Sequence, residues 1–168
     1  IDKLFVGVVL LPTLLSVFYF GFLASDVYLS ESKFVVRSPQ KPSANGLGVI
    51  LKTAGFSNAG EEVYAAKDYV MSRDALRELN RQGAFEKAYS DPSISAFNRF
   101  NALGFHDAFE DLYEYYQRKV TVEYDATSTI TKLTVRAYSP QDAQRFNQKL
   151  LEMAEETVNR LNARGRQD

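Results

Sequence analysis

From Leu4 to Ala24 the chain runs 21 residues without a charge. A helix of that length is about 31 Å long, close to the hydrocarbon thickness of a bilayer, so the segment is predicted to span a membrane once. Phe18, Tyr19, Phe20 and Phe22 crowd its downstream end where a secretory leader would carry a small-residue cleavage site, so the stretch reads as a retained anchor. Pro12 sits mid-span and is tolerated in a membrane helix. Lys3 upstream and Asp26 downstream point to a cytoplasmic N-terminus.

Beyond the anchor the period of the pattern changes. Glu31 to Arg37 alternates, with Ser32, Phe34 and Val36 on one side, and Pro39 closes it; this predicts a first strand. Pro39, Pro42, Asn45, Gly46 and Gly48 predict a loop, and Val49 to Leu51 a short helix that Gly55 ends. Glu61 to Val70 and Arg73 to Arg81 read as two helices, the second with Ser72 as N-cap and Gly83 just past its end. Ala84 to Phe105 reads as irregular and aromatic-rich around a turn at Asp91 and Pro92. Its rings, Phe85, Tyr89, Phe97, Phe100 and Phe105, could stack on sugars but are expected to fill the core.

Asp107 and Glu110 resemble a capping pair for a helix running to Lys119. Val120, Val122 and Tyr124, then Leu133, Val135 and Ala137, alternate with polar residues around a turn at Ala126 to Thr129, which predicts a hairpin. Ser139, Pro140 and Asp142 open a last helix. Its apolar positions Ala143, Phe146, Leu150, Met153 or Ala154, Val158 and Leu161 continue further than a domain edge usually needs, so this helix is expected to leave the domain. The fold class expected is α+β, a mixed α/β domain behind an N-terminal transmembrane helix, with a small sheet of about three or more strands packed by helices. The divisions expected are a membrane helix over residues 1–25, a soluble domain over 26–145 and the start of a helical, coiled-coil extension over 146–168.

Composition narrows the function classes. Of 168 residues, 20 are basic and 21 acidic, a formal charge of −1, so no electrostatic footprint for nucleic acid is present. The absence of cysteine removes a disulfide framework, a thiol nucleophile and a cysteine zinc site together. The glycine-rich stretch at 46–48 fits neither a dinucleotide fingerprint nor a phosphate loop. His106 is the only histidine, so a triad or a zinc site would have to be built around it, and nothing nearby supports either. Glu61 with Glu62, Glu110 with Asp111, and Glu155 with Glu156 are adjacent on helices and diverge, so they read as solvated faces. Arg73, Arg77, Arg81, Arg160, Arg164 and Arg166 are dispersed among acids and read as soluble surface. Catalytic, cofactor-binding and metal-binding residues are all expected to be none.

Three stretches carry a resemblance. Ser30-Glu31-Ser32-Lys33-Phe34-Val35-Val36-Arg37-Ser38-Pro39 directly behind the anchor, Tyr69-Val70-Met71-Ser72-Arg73-Asp74-Ala75-Leu76, and Leu133-Thr134-Val135-Arg136-Ala137-Tyr138-Ser139-Pro140 with Ala143 resemble the capsule polysaccharide export inner-membrane proteins of the KpsE type, within the wider polysaccharide co-polymerase (Wzz-like) family. The resemblance covers essentially the whole chain. It implies a non-catalytic scaffold in the bacterial inner membrane, with its α/β domain in the periplasm and subunits associating through long helical extensions. The partners it implies are further copies of the chain, an ABC transporter of the inner membrane, an outer-membrane polysaccharide export protein and membrane lipid, with the polysaccharide as a further candidate. The family's helical extension and second membrane helix are not in this sequence, which reads as a piece of something longer. A chain-length regulator acting on a polymerase, an extracytoplasmic sensor domain of a signalling receptor and a tyrosine-kinase-fused relative are the competing classes.

Overall fold

The computed structural model describes residues 3–36, 59–105 and 108–164. The loop and short helix expected between Pro39 and Gly55, together with His106 and Asp107, lie outside the described residues.

The apolar stretch forms one helix, α1 (Lys3–Leu23), long and apolar enough to cross a membrane and with none of its apolar window buried. Its backbone is α-helical over Leu11–Phe18 and widens into π turns at Val6–Leu10 and Tyr19–Leu23. The first π turn ends beside Pro12, where proline cannot donate to the preceding turn and its ring crowds it. Thr13 Oγ1 donates to the Val9 carbonyl at 2.6 Å, which supplies a local donor next to that irregularity.

Three strands make an antiparallel sheet in the order β1 (Tyr28–Phe34), β3 (Ile130–Ala137), β2 (Val120–Asp125). Register follows the alternation of the sequence. Ser30, Val135 and Val120 share one inward row, Ser32, Leu133 and Val122 the next, and Phe34, Thr131 and Tyr124 the third. The outer rows are polar, and Lys132 Nζ reaches Glu123 Oε2 at 3.0 Å across the β2–β3 pair. That pairing, through the hydrogen bond first and the Glu123 charge second, holds the Lys132 ammonium above its ordinary pKa. The first strand therefore starts three residues earlier than the sequence pattern suggested. Tyr28 pairs with Ala137, so the length of β3 decides where β1 begins.

Helices cover the inward face: α2 (Ala59–Val70), α3 (Arg73–Leu79), α4 (Ala84–Tyr89), α5 (Phe109–Lys119) and α6 (Pro140–Arg164). The α6 helix packs on β1, β3, α2 and α3. Two expected caps are in place. Ser72 Oγ accepts from Ala75 N at 3.2 Å, and Ser139 Oγ accepts from Asp142 N at 3.1 Å while donating to Asp142 Oδ2 at 2.8 Å, a reciprocal cap that starts α6 where its apolar period starts.

Four expectations are corrected. The second helix stops at Leu79, and Arg81–Gly83 forms a separate 3₁₀ turn in which Gln82 and Gly83 take positive φ, a reversal that glycine permits without steric cost. The stretch after it is not irregular from its start, because Ala84–Tyr89 is a helix whose Phe85 and Tyr89, four residues apart, face the core. The helix α5 starts at Phe109 with Ala108 at its N-cap, not with Asp107 there, and Glu110 forms a two-pronged ion pair with Arg73, at 2.9 and 2.7 Å, joining α3 to the first turn of α5. The core also runs past residue 145, since Phe146, Leu150, Met153 and Ala154 of α6 are buried.

The core is aromatic. The Phe85 ring lies 4.4 Å from Tyr89, 5.5 Å from Tyr116 and 5.3 Å from Phe146 by centroid, in tilted and edge arrangements that the ring quadrupoles favour. Hydroxyls at the edge of this cluster reach backbone carbonyls: Tyr89 donates to Arg136 O, Tyr116 to Val70 O and Tyr113 to Met71 O.

Thr131, Thr134 and Asn147 are buried polar side chains among the described residues, and Asn147 is the one that bridges two strands. Asn147 of α6 is 2 % exposed; its Nδ2 donates to Ser30 O at 2.8 Å and Leu133 O at 3.2 Å, and its Oδ1 accepts from Ser32 Oγ. It clamps β1 to β3 from the helix side. Replacing it with leucine strands buried polar partners, so Asn147→Leu is expected to cost roughly 2–4 kcal/mol. Denaturant unfolding in detergent should show a lower midpoint at unchanged slope; a shift below about 1 kcal/mol would show that the clamp is dispensable.

Candidate functional site at the membrane exit

No group of three or more His, Asp or Glu residues is placed to hold a metal among the described residues. Glu110 is taken by Arg73, whose hydrogen bonds chiefly hold its carboxyl below the usual carboxylate range. Glu155 and Glu156 are exposed, and Glu156 pairs with Arg160 one turn on. Arg77 and Arg81 pair with Asp74 and Glu78. Arg73, Arg77, Arg81 and Arg160 are thus exposed and locally neutralised, while Arg166 lies outside the described residues.

What the tertiary structure does build is a junction where the anchor meets the domain. Helix α1 ends at Leu23, Ala24 turns to extended backbone, and the Ser25 hydroxyl oxygen accepts the Ser95 N–H at 2.6 Å. The segment 91–99 wraps this exit. Asp91 Oδ1 accepts the Ser93 N–H at 2.8 Å, and hydrogen bonding from the Ser93 side chain first and its N–H second, more than the nearby Arg99, holds the Asp91 carboxyl below its ordinary pKa. An open cleft of about 560 Å³ lies between the two, lined among others by Phe22, Asp26, Phe97, Arg99 and Tyr138.

The domain side of the junction is pinned by phenols. Tyr115 donates to Asn98 O at 2.6 Å, Tyr138 to the same carbonyl at 3.4 Å, and Lys119 Nζ donates to Tyr138 Oη at 2.6 Å while lying over both rings. Phe100 N donates to Tyr89 O at 2.8 Å, and the buried Phe100 ring packs 5.4 Å from Tyr115. Burial first, and the neighbouring Tyr138 second, push the Tyr115 phenol above its ordinary pKa, so it donates at neutral pH. The chain leaving α1 is hydrogen-bonded to a segment that is itself hydrogen-bonded to the core.

Of the aromatic residues read as core, Phe85, Tyr89 and Phe100 are buried, whereas Phe97 and Phe105 are exposed. Ser25, Asn98 and Arg99 were not singled out by the sequence. A serine after a span and an asparagine in a loop carry no pattern, and their role comes from which backbone atoms the fold brings beside them.

No protein-family model matches the chain. Individual relatives do. The capsule polysaccharide export inner-membrane protein CtrB of Neisseria meningitidis is 40 % identical over 169 aligned residues, covering 100 % of this chain and 43 % of the relative. BexC of Haemophilus influenzae, of the same description, is 39 % identical over 95 % of this chain and 42 % of its own length. KpsE of Escherichia coli is 27 % identical over 94 % and 41 %. The resemblance read from the three sequence stretches therefore holds across the whole chain, and the chain spans less than half the length of these relatives.

Proposed function

We propose that this chain is the anchored N-terminal part of a non-catalytic scaffold for capsular polysaccharide export, with α1 in the bacterial inner membrane and the α/β domain in the periplasm, joining an ABC transporter to an outer-membrane polysaccharide channel. The observation that carries this reading is similarity over 95–100 % of this chain, at 39–40 % identity, to proteins named for capsule polysaccharide export in the inner membrane. An anchor helix with no buried window and a hydrogen bond from Ser95 N–H to Ser25 Oγ at its exit suit such a scaffold. Force or position set at the membrane passes into the domain through hydrogen bonds instead of through a slack linker. Self-association is part of the proposal, since β1 and β2 are both edge strands among the described residues and open edges favour pairing.

Deleting the gene should leave polysaccharide synthesised but retained in the cell, measured by comparing surface and lysate polymer. Normal surface display after deletion would refute export. Surface polymer of altered length would instead favour a chain-length regulator.

Topology is tested by single cysteines at Glu114 and Ser128, both exposed, in a sequence with none of its own. Each should react with a membrane-impermeant thiol reagent in cells whose outer membrane is permeabilised. Protection at both positions would place the domain in the cytoplasm.

A further inference from the structure

The described part of the domain exposes three large apolar side chains more than any other: Phe97 at 77 %, Leu103 at 78 % and Phe105 at 78 %. All three fall in the loop 91–105. The Phe97 ring lies 6.4 Å by centroid from Tyr19. Tyr19 belongs to the membrane helix itself, four residues before its end at Leu23, so the contact lies about 6 Å back along the helix axis from the exit. A ring at that depth is level with the outer part of the span.

We infer that the loop 91–105 is a second membrane contact, which inserts Phe97 into the interface of the leaflet facing the domain and lays Leu103 and Phe105 against the same surface. The inference requires only that α1 spans a bilayer, not that the protein exports polysaccharide. The loop is held in this pose from both sides, by Ser25 Oγ on the Ser95 N–H and by Tyr115 and Tyr138 on Asn98 O. Its inner residues, Ile94 and Phe100, fill the domain, so the outer rings have no place in the core to return to.

Lipid is the occupant because the exposed rings continue from the span: a bilayer that covers Tyr19 also covers the ring touching it. Aromatic side chains are enriched at that level of a membrane. Charge does not drive the contact. Arg99 of this loop has Asp91 beside it and Asp26 across the cleft, so the apolar rings carry it, and it should depend little on anionic lipid.

The chain contains no tryptophan, which makes single-tryptophan reporters specific. The full-length protein, freed of any tryptophan elsewhere, would be reconstituted into phosphatidylethanolamine/phosphatidylglycerol vesicles carrying brominated acyl chains. Phe22→Trp reports the span, Phe97→Trp and Leu103→Trp the loop, and Tyr64→Trp an exposed position on α2. Phe97→Trp should be quenched by the brominated lipid at least about half as strongly as Phe22→Trp, Leu103→Trp measurably, and Tyr64→Trp only by aqueous iodide. The result should persist when phosphatidylglycerol is omitted.

Iodide quenching of Phe97→Trp equal to that of Tyr64→Trp would overturn the inference. Shielding of Phe97→Trp from both quenchers would also overturn it, because another protein surface would then cover the ring. Loss of lipid quenching at Phe97→Trp alone removes the loop contact and leaves the anchored-scaffold reading standing. Loss at Phe22→Trp as well removes both.

Discussion

Leu150→Glu should abolish folding of the domain, whereas Leu161→Glu, eleven positions further along the same helix, should leave its stability almost unchanged. The two leucines occupy one apolar stripe in the sequence, but the structure separates them. Leu150 is 0 % exposed within the core cluster, and Leu161 is 37 % exposed beyond the last fully buried residue of α6, Ala154. A lone carboxylate at Leu150 either pays a desolvation cost of several kcal/mol or stays protonated, which costs about 1.4 kcal/mol for each pH unit from its ordinary value of about 4.3 up to neutral pH, roughly 3–4 kcal/mol. Lost leucine burial adds about 2 kcal/mol. The sum rivals the whole stability of a domain of this size, about 5–15 kcal/mol.

At Leu161 the glutamate stays in water, and a change within about 0.5 kcal/mol is expected. Circular dichroism and denaturant unfolding of both variants check this. A Leu150→Glu protein with a native unfolding transition would show that α6 does not pack as described. The pair also sorts function from folding. Only Leu161→Glu can report whether the outer end of α6 contributes to assembly, because loss of surface polysaccharide in Leu150→Glu would follow from misfolding alone.

Raising the pH above about 10 should progressively destabilise the domain until it unfolds cooperatively, with the buried tyrosines ionising as it opens. Burial is the largest cause that raises the phenol pKa values of Tyr89 and Tyr116, with Asp142 adding to it at Tyr89 and Tyr113 at Tyr116. Both hydroxyls donate to backbone carbonyls, bonds that a phenolate cannot make. The folded pKa of each lies above the unfolded value of about 10, so the stability involved is fully present below that pH and is lost as pH rises beyond it.

Each group lowers stability by about 1.4 kcal/mol per pH unit over that window, and the two together by about 2.7 kcal/mol. Against a total of about 5–15 kcal/mol, unfolding is expected from roughly pH 12 upward. Tyrosinate absorbance should therefore rise in two stages, with the buried phenols ionising only in step with loss of secondary structure. Tyr116→Phe supplies the control. It should be less stable at neutral pH by about 1 kcal/mol, through the lost bond to Val70 O, yet decline less steeply above pH 10. A smooth titration of every tyrosine with the fold intact would sink this prediction.

How much of this was legible beforehand depended on the range of the interactions. The anchor, the two caps at Ser72 and Ser139, the hairpin around Ala126 to Thr129 and the inward faces of β2 and β3 were read from the sequence. A charge-free run, a hydroxyl one turn before a donor and a period of two are properties of neighbouring residues. The similarity to capsule export proteins was legible for the same reason, since it rests on contiguous stretches. By itself, then, the sequence determined that an apolar helix precedes an α/β domain with a hairpin and a long final helix.

The tertiary structure decided the rest. The start of β1 depends on how far β3 runs beside it, and the helix at Ala84 depends on a reversal at Gln82 and Gly83 that the composition of the following stretch conceals. Exposure of Phe97 and burial of Phe100, three residues apart in one loop, have no periodic signature. They follow from Tyr89 and Tyr115 holding one side of the loop against the core while Ser25 and Tyr19 meet the other. Partners distant in the chain make these choices, because a backbone carbonyl or a ring face accepts whichever side chain the fold delivers to it, and no local pattern records which one that will be.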